Sequence, residues 1–550
     1  MTEGLAAPLL LLSAPALVYF AWRLGLMRRA WTRALVLAVA GIAVLAALPW
    51  HGLDFAVIKR INLFLAGGAL LFLLLRGVGV PWASERRTSL PVLAALAVLS
   101  LLTYLDFLTF HGARTFVHYH DVSHYYLGSK YFGELGYSRL YTAMLRAEAE
   151  VYDNHFKSLE ARDLETDDVV HIVTLLRRSD EAKAAFSPER WAAFKQDVAY
   201  FRDVLGPAYP TVLNDHGFNA TPVWAAMGGV LANRVRPGDH TGIVLLALLD
   251  PLLLAGAFAA VVWAFGWEAA LFALIQFCLV FGATFGWTGG AFLRYVWFFG
   301  AVVALCCLQR GRYAVAGGLL ALATGLRVFP ILFVFGIAAK TALDLLGGRR
   351  ASVAHVRMLA AFAATGLALF LLTGLSARGF GAWEDFRRNT GKHMETVSPN
   401  IVGLTGLLAY EESAATVDAD QIRAIRERRT SIYRVQLLTA LPLVVIVALL
   451  LAPERDDLEA TLLGIPLIFV GLNLAAYYYV FLVLVTLVFR ERPRVLIALF
   501  GLELASYSLL LFEEREARLF VYRDLLILFL LAALYREPLA SRLRGLRARS

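Results

Sequence analysis

Cysteine is nearly absent: Cys278, Cys306 and Cys307 are the only three in 550 residues, and each lies in an apolar run. That excludes a disulfide framework, and none of the three has the spacing of a metal-ligand set. Charge is scarce too. Only 17% of residues are charged, where soluble domains carry about a quarter, so a soluble enzyme is excluded. Short segments of alternating hydrophobicity are missing, which excludes a transmembrane β-barrel. No internal repeat is visible, which weighs against an inverted-repeat transporter. Met1–Pro8 has no basic residue, so the first apolar run is expected to be a retained span and not a cleaved leader.

What the chain does have is apolar length. It is 59% hydrophobic, and runs of about 20 residues recur, enough for helices to cross about 30 Å of hydrocarbon. The expected fold is an all-α polytopic integral membrane protein with a bundle of about 14 helices. The net charge of +9 resides largely in short basic loops, as the positive-inside rule requires. It points to a lipid head group or lipid-linked phosphate as the anionic partner, and no nucleic-acid partner is expected. Arg23–Arg33, Arg76, Arg86 and Arg87 place the early loops inside. The reading is then an N-terminal transmembrane element (1–89), a span (90–110), an extracytoplasmic helical cap (111–220), a transmembrane core (221–374), a second outside loop (375–400), a C-terminal transmembrane core (401–535) and a basic cytoplasmic tail (536–550). Within the cap, Leu145–Phe156 and Pro188–Val204 read as helices. Segment 266–290 carries Gly282, Gly286, Gly289 and Gly290 and is expected to be broken or re-entrant.

The most polar cluster opens the cap: His118, Tyr119, His120, Asp121, His124, Tyr125 and Tyr126 fall within nine residues. Titratable groups at a membrane edge are functional candidates. Asp121 is either a reacting acid or base, or the N-cap of a helix starting at Val122. Asp106 is the rival acid. His120 and His124 share a helix face at i, i+4, and with Asp121 have the chemistry of metal ligands; hydrogen bonding to the acid or to substrate is the other reading. Arg294 and Arg327 lie in or between apolar runs and need an anionic partner, such as a phosphate, unless they snorkel. Lys392 and His393 of the second outside loop are further candidates. Trp287, Trp297, Trp383 and Tyr477–Tyr479 could stack on a sugar or simply mark membrane interfaces.

Four stretches, in order, carry a family resemblance. Asp121–Tyr141 has an acid, an aromatic pair, Gly128 and Leu140-Tyr141. Asn219-Ala220-Thr221-Pro222 opens a span. Arg310–Pro330 ends in Arg327-x-x-Pro330, and Ser398-Pro399-Asn400 leads through to Leu408. Over roughly 100–490 the chain resembles the GT-C glycosyltransferases, in particular bacterial polyprenol-phosphate-mannose-dependent mannosyltransferases and their uncharacterised relatives. Two features depart from that pattern: the acid follows about the fourth span instead of the first, and Thr221-Pro222 stands in place of Pro-Pro. The resemblance implies an inverting transfer of a sugar, mannose by best match, from a polyprenyl-phosphate donor to a hydroxyl of a glycolipid, polysaccharide or protein acceptor. It implies Asp121 as general base, with His118, His120, His124, Tyr125, Arg294, Arg327, Lys392 and His393 contacting substrate and no cofactor or metal. The expected location is a bacterial inner membrane, with the active site on the extracytoplasmic side. A transporter or flippase of lipid-linked saccharides is the alternative, and a structural subunit of an envelope complex a third.

Overall fold

The computed structural model describes residues 55–112, 115–395, 400–410 and 419–547. The first 54 residues of the expected N-terminal transmembrane element lie outside the described residues, as do Ser398, Pro399 and the side chain of His393.

Helices dominate. In chain order the longer ones include α1 (Phe55–Gly77), α2 (Arg86–Tyr104), α3 (Tyr119–Lys130), α4 (Leu140–Val151), α5 (Pro188–Leu205), α6 (Pro222–Ala232), α7 (His240–Phe265), α8 (Trp267–Leu279), α9 (Val296–Gln309), α10 (Tyr313–Leu326), α11 (Phe329–Leu346), α12 (Val353–Thr373), α13 (Gly381–Glu395), α14 (Ala419–Leu438), α15 (Ala440–Leu451), α16 (Pro493–Leu509) and α17 (Glu516–Arg547). Among the described residues the strands form two small antiparallel ribbons, β1 (Glu160–Asp163) with β2 (Asp168–His171), and β3 (Ile401–Val402) with β4 (Leu474–Ala475).

Among the described residues, six helices are long and apolar enough to cross a membrane: Ala56–Gly77, Arg86–Tyr104, His240–Phe265, Phe329–Leu346, Val353–Thr373 and Ala424–Glu454. The fold is that of an all-α membrane protein. A count near 14 does not follow from helix length. α6, α8, α9 and α10 are apolar but have only 10–17 residues; at 14 residues α9 reaches only about 21 Å. Segment 266–290 is broken. α8 stops at Leu279, Gly282 takes a positive φ, and a single turn at Phe285–Thr288 follows.

The chain forms two compact units. One joins the described residues up to Phe116 with Phe265–Gly289 and Ala476–Arg515. Its organising residue is Glu503 on α16, which is fully buried. The carboxylate accepts from Gln276 Nε2 (3.1 Å) and from the Phe281 amide (2.9 Å), where α8 ends. Asn62 on α1 donates to Tyr507 on α16.

The other unit joins Val117–Ala264, Gly290–Ala475 and the chain from Glu516. Its apolar part is built on α9, α10 and α12. Gly317 lets α10 lie against α12: a Cβ there would sit 2.1 Å from the Met358 carbonyl oxygen, the close approach that small residues permit between membrane helices. The outer side of α12 exposes Leu367, Leu371 and Leu372.

The polar part is a layer of helices with one hairpin. The helix expected over Leu145–Phe156 ends at Val151, because Asp153 and Asn154 take positive φ (49° and 63°), which stops a right-handed helix. The chain then enters β1–β2, so the segment is not purely helical. α5 follows its sequence signal closely: Ser187 caps it, accepting the Arg190 amide, and Pro188 occupies the first turn.

Two ionic hubs hold the helices together. Lys130, the last residue of α3, pairs with Asp197 of α5 at 2.9 Å, with side chains 4% and 2% exposed. Asp197 also accepts from Tyr131 (2.7 Å) and the Gly238 amide (2.8 Å), and Lys130 donates to Tyr126 and the Val235 carbonyl. Glu150 on α4 binds Lys183, Lys195, Arg146 and the Trp191 indole. Burial opposes its charge, but the bonds from Lys183, Trp191 and Lys195 outweigh burial and hold its pKa down at about 2.

Asp197→Ala, which strands a buried ammonium, should cost about 3–5 kcal/mol, read as a lowered unfolding midpoint of the detergent-solubilised protein. Because the folded pKa of Glu150 is depressed, its contribution is fully present above the ordinary glutamate value of 4.5 and is lost as pH falls toward about 2. The stability margin of wild type over Glu150→Gln should therefore be constant from pH 7 to about 4.5 and close below it, as thermal unfolding across pH would show.

Candidate functional site on helix α3

Helix α3 starts where His118 caps it. The His118 amide donates to the Gly290 carbonyl (2.9 Å), and its Nδ1 accepts the Asp121 amide (3.1 Å). The cap is thus His118, and Asp121 is the third helical residue, with its side chain available for other work. A carboxylate in the first turn suits the helix dipole. Asp121 Oδ1 accepts from Arg294 Nη1 at 2.9 Å, both side chains being about one-seventh exposed. Oδ2 has no hydrogen-bond partner among the described residues.

Arg294 is placed through its backbone. It precedes α9, and Asp250, buried within α7, accepts the amides of Arg294 (3.1 Å) and Tyr295 (3.0 Å). The Leu293 carbonyl takes the Trp224 indole N–H, and Leu293 itself sits at φ 55°, a left-handed conformation that costs about 1–3 kcal/mol and persists only where surroundings enforce it. Here Asp250, Trp224 and His118 enforce it.

One turn beyond Asp121, Tyr125 donates to Asn219 Oδ1 (2.7 Å) and accepts from Arg327 Nη2 (3.1 Å). Trp224 and Phe218 pack against its ring. Arg327 leaves the end of α10 in extended backbone. Thr221 brings the two ends together: it caps α6 by accepting the Trp224 amide and donates to the Gly325 carbonyl at the end of α10. The Asn219–Pro222 and Arg327–Pro330 stretches therefore meet at Tyr125.

On the neighbouring face of α3, His120 and His124 turn toward Asp215. The two Nδ1 atoms lie 3.8 and 3.9 Å from Asp215 Oδ2. His124 is buried, and its Nε2 faces the Tyr141 hydroxyl (2.7 Å) and the Val212 carbonyl (3.2 Å). Burial lowers its pKa, which keeps the ring neutral at pH 7. Burial pushes the Asp215 carboxyl up, but the imidazoles of His124 and His120 and the His216 amide outweigh it and hold it below the ordinary range.

The remaining candidates are elsewhere. Lys392 on α13 donates to the Leu164 carbonyl in the β1–β2 turn, and burial lowers its pKa. His393 has a backbone position in α13. Trp297 is buried against Phe329, and Trp383 donates to Thr373. Trp287, Tyr477–Tyr479 and Asp106 belong to the unit that does not contain Asp121. Asp106 accepts from Thr109 in a turn of positive-φ residues.

Sequence reasoning missed two acids. Asp250 was signalled by its isolation in an apolar run, where an ionisable residue calls for a partner. Asp215 lies in the turn-rich run Asn214–Pro222, but nothing local shows that it faces α3. No protein-family model, curated protein or solved structure matches the chain.

Asp250→Ala would leave two buried amides without acceptors, at about 1–3 kcal/mol each. A clearly lower unfolding midpoint is expected; an unchanged midpoint would show that the α9 amides find other acceptors.

Proposed function

We propose that the protein is a membrane glycosyltransferase of GT-C type, moving a sugar, mannose by preference, from a polyprenyl-phosphate donor to an acceptor hydroxyl on the extracytoplasmic side of a bacterial inner membrane. The observation that carries this reading is the placing of two guanidinium groups along one face of α3: Arg294 on the Asp121 carboxylate and, one turn on, Arg327 on the Tyr125 hydroxyl. A glycosyl transfer from a lipid phosphate needs a base for the acceptor proton and cations for the leaving phosphate. In the proposed step Asp121 Oδ2 takes the hydroxyl proton. The hydroxyl oxygen bonds to the anomeric carbon from the face opposite the leaving group, and the bond from that carbon to the phosphate oxygen breaks. The polyprenyl phosphate departs with the electron pair, its charge met by Arg294 and Arg327. The Arg294 bond to Oδ1 keeps the carboxylate aimed while Oδ2 acts.

An apolar cavity of about 980 Å³ adds support. Val223, Met227 and Val230 of α6, Leu322 of α10 and Leu369 and Leu372 of α12 line it, with Lys130 and Arg190 on its polar side. α6 and α10 are the two helices whose ends position Tyr125 and Arg327, so an isoprenoid chain in this cavity would lead toward the proposed phosphate site. The acceptor is a hydroxyl of a glycolipid, an envelope polysaccharide or a protein.

The test is transfer of radiolabelled sugar from a polyprenyl-phosphate donor in proteoliposomes. Asp121→Asn should lower the rate by about 100- to 10,000-fold, the usual worth of a positioned base, with the unfolding midpoint retained. Full transfer by this variant removes Asp121 from the mechanism. Movement of the donor between leaflets without transfer would instead identify a flippase.

A further inference from the structure

The face of α3 next to Asp121 carries a second constellation, which the transfer step does not use. His120 and His124 are one turn apart, and Asp215 faces both from the 214–221 loop. The three ligating atoms lie within 4.8 Å of one another. At 3.8 and 3.9 Å, the imidazole-to-carboxylate separations exceed hydrogen-bond range. They are close to the spacing of two ligands on one ion, which for bonds near 2.1 Å in tetrahedral geometry is about 3.4 Å. The His120 ring, about a third exposed, can rotate to close the difference.

The mounting of His124 points the same way. Its Nε2 lies 2.7 Å from the Tyr141 hydroxyl and 3.2 Å from the Val212 carbonyl, which fixes the ring so that Nδ1 faces the Asp215 carboxylate in a setting only 3% exposed. Tyr141 braces both sides: its hydroxyl contacts His124 Nε2 and accepts the Gly217 amide (3.0 Å). The Asp215 loop is further held by Arg162 on the Asn214 carbonyl and by His216 on Asp167. Hydrogen bonds of this kind, from the outer ring nitrogen of a ligating histidine to carbonyl or hydroxyl groups, are what orient metal ligands.

We propose that His120, His124 and Asp215 bind one divalent transition-metal ion of the zinc class, through the two Nδ1 atoms and the carboxylate, with a further coordination position open to an oxygen ligand from solvent or substrate. Two imidazoles and one carboxylate suit Zn²⁺ or Co²⁺ better than Mg²⁺ or Ca²⁺, which prefer all-oxygen shells. The partial exposure of His120 and Asp215 leaves the open position accessible. The family resemblance implies no metal, so this site goes beyond what the resemblance implies, and it stands whether or not the transferase reading holds.

The experiment uses the full-length protein in detergent, stripped with a chelator and titrated separately with ZnCl₂, CoCl₂ and MgCl₂. Expected are one saturable equivalent of Zn²⁺ by metal analysis, visible absorption bands of a low-coordinate Co²⁺ site, and an unfolding temperature that rises with Zn²⁺. His120→Ala and Asp215→Asn should each weaken Zn²⁺ binding by at least about tenfold while the metal-stripped variants unfold at the wild-type temperature. His120 is the safer variant, being partly exposed where His124 is buried. The proposal is overturned by the absence of a saturable equivalent, by an affinity unchanged in both variants, or by preference for Mg²⁺ over Zn²⁺.

Discussion

The unit that contains Asp121 depends on the buried pair between Lys130 and Asp197. It lies at the end of α3, and α3 carries nearly every side chain of interest. A helix turns about 100° per residue, so fixing its last residue fixes where each earlier residue points. Asp121 and Tyr125 form one stripe, and His120 and His124 the stripe beside it. Lys130 and Asp197 spend their remaining hydrogen-bonding capacity on Tyr126, Tyr131, the Val235 carbonyl and the Gly238 amide. Such a pair adds little net stability over an apolar packing, yet it is costly to break. Its value lies in orientation.

The same logic governs the other charges. Asp250 is buried in an apolar helix, where an isolated carboxylate is expensive. It is tolerated because it accepts the first amides of α9, and in doing so it sets the backbone from which Arg294 reaches Asp121. Arg327 is held in turn by Tyr125 and by the meeting of α6 and α10 through Thr221. The acid and the two arginines are thus positioned by different elements: Asp121 and Arg294 through backbone contacts, and Arg327 through the end of α10 and the Tyr125 hydroxyl.

Much of the fold was legible because burial in lipid is a matter of composition. Long apolar runs such as those of α1, α2, α7 and α12 announced themselves. The number of spans is not fixed by composition alone, since short apolar helices such as α6, α9 and α10 read like crossing segments and the first 54 residues lie outside the described ones. The β1–β2 hairpin was hidden for a local reason: Asp153 and Asn154 adopt left-handed backbone that the helical pattern around them masks. Within the site, Asp121, His120, His124 and Tyr125 stood out because they cluster in sequence. Asp215 did not, because its partners on α3 are about 90 residues away in the chain, and the isolation of Asp250 in an apolar run does not name its partner 44 residues on.

By itself the sequence determined the class of solvent, the positions of the longest apolar helices and the polar stretch that holds the candidate acid, because these follow from local composition and helical periodicity. Tertiary structure alone decided that His118 and not Asp121 caps α3, that Arg294 rather than Lys392 bonds the acid, and that Asp215 faces both His120 and His124. Those outcomes depend on which distant backbone groups are brought within about 3–4 Å, and no local pattern encodes such distances. The cluster that first drew attention in the sequence thereby resolves into two adjacent stripes of one helix, one facing arginines and the other facing a carboxylate.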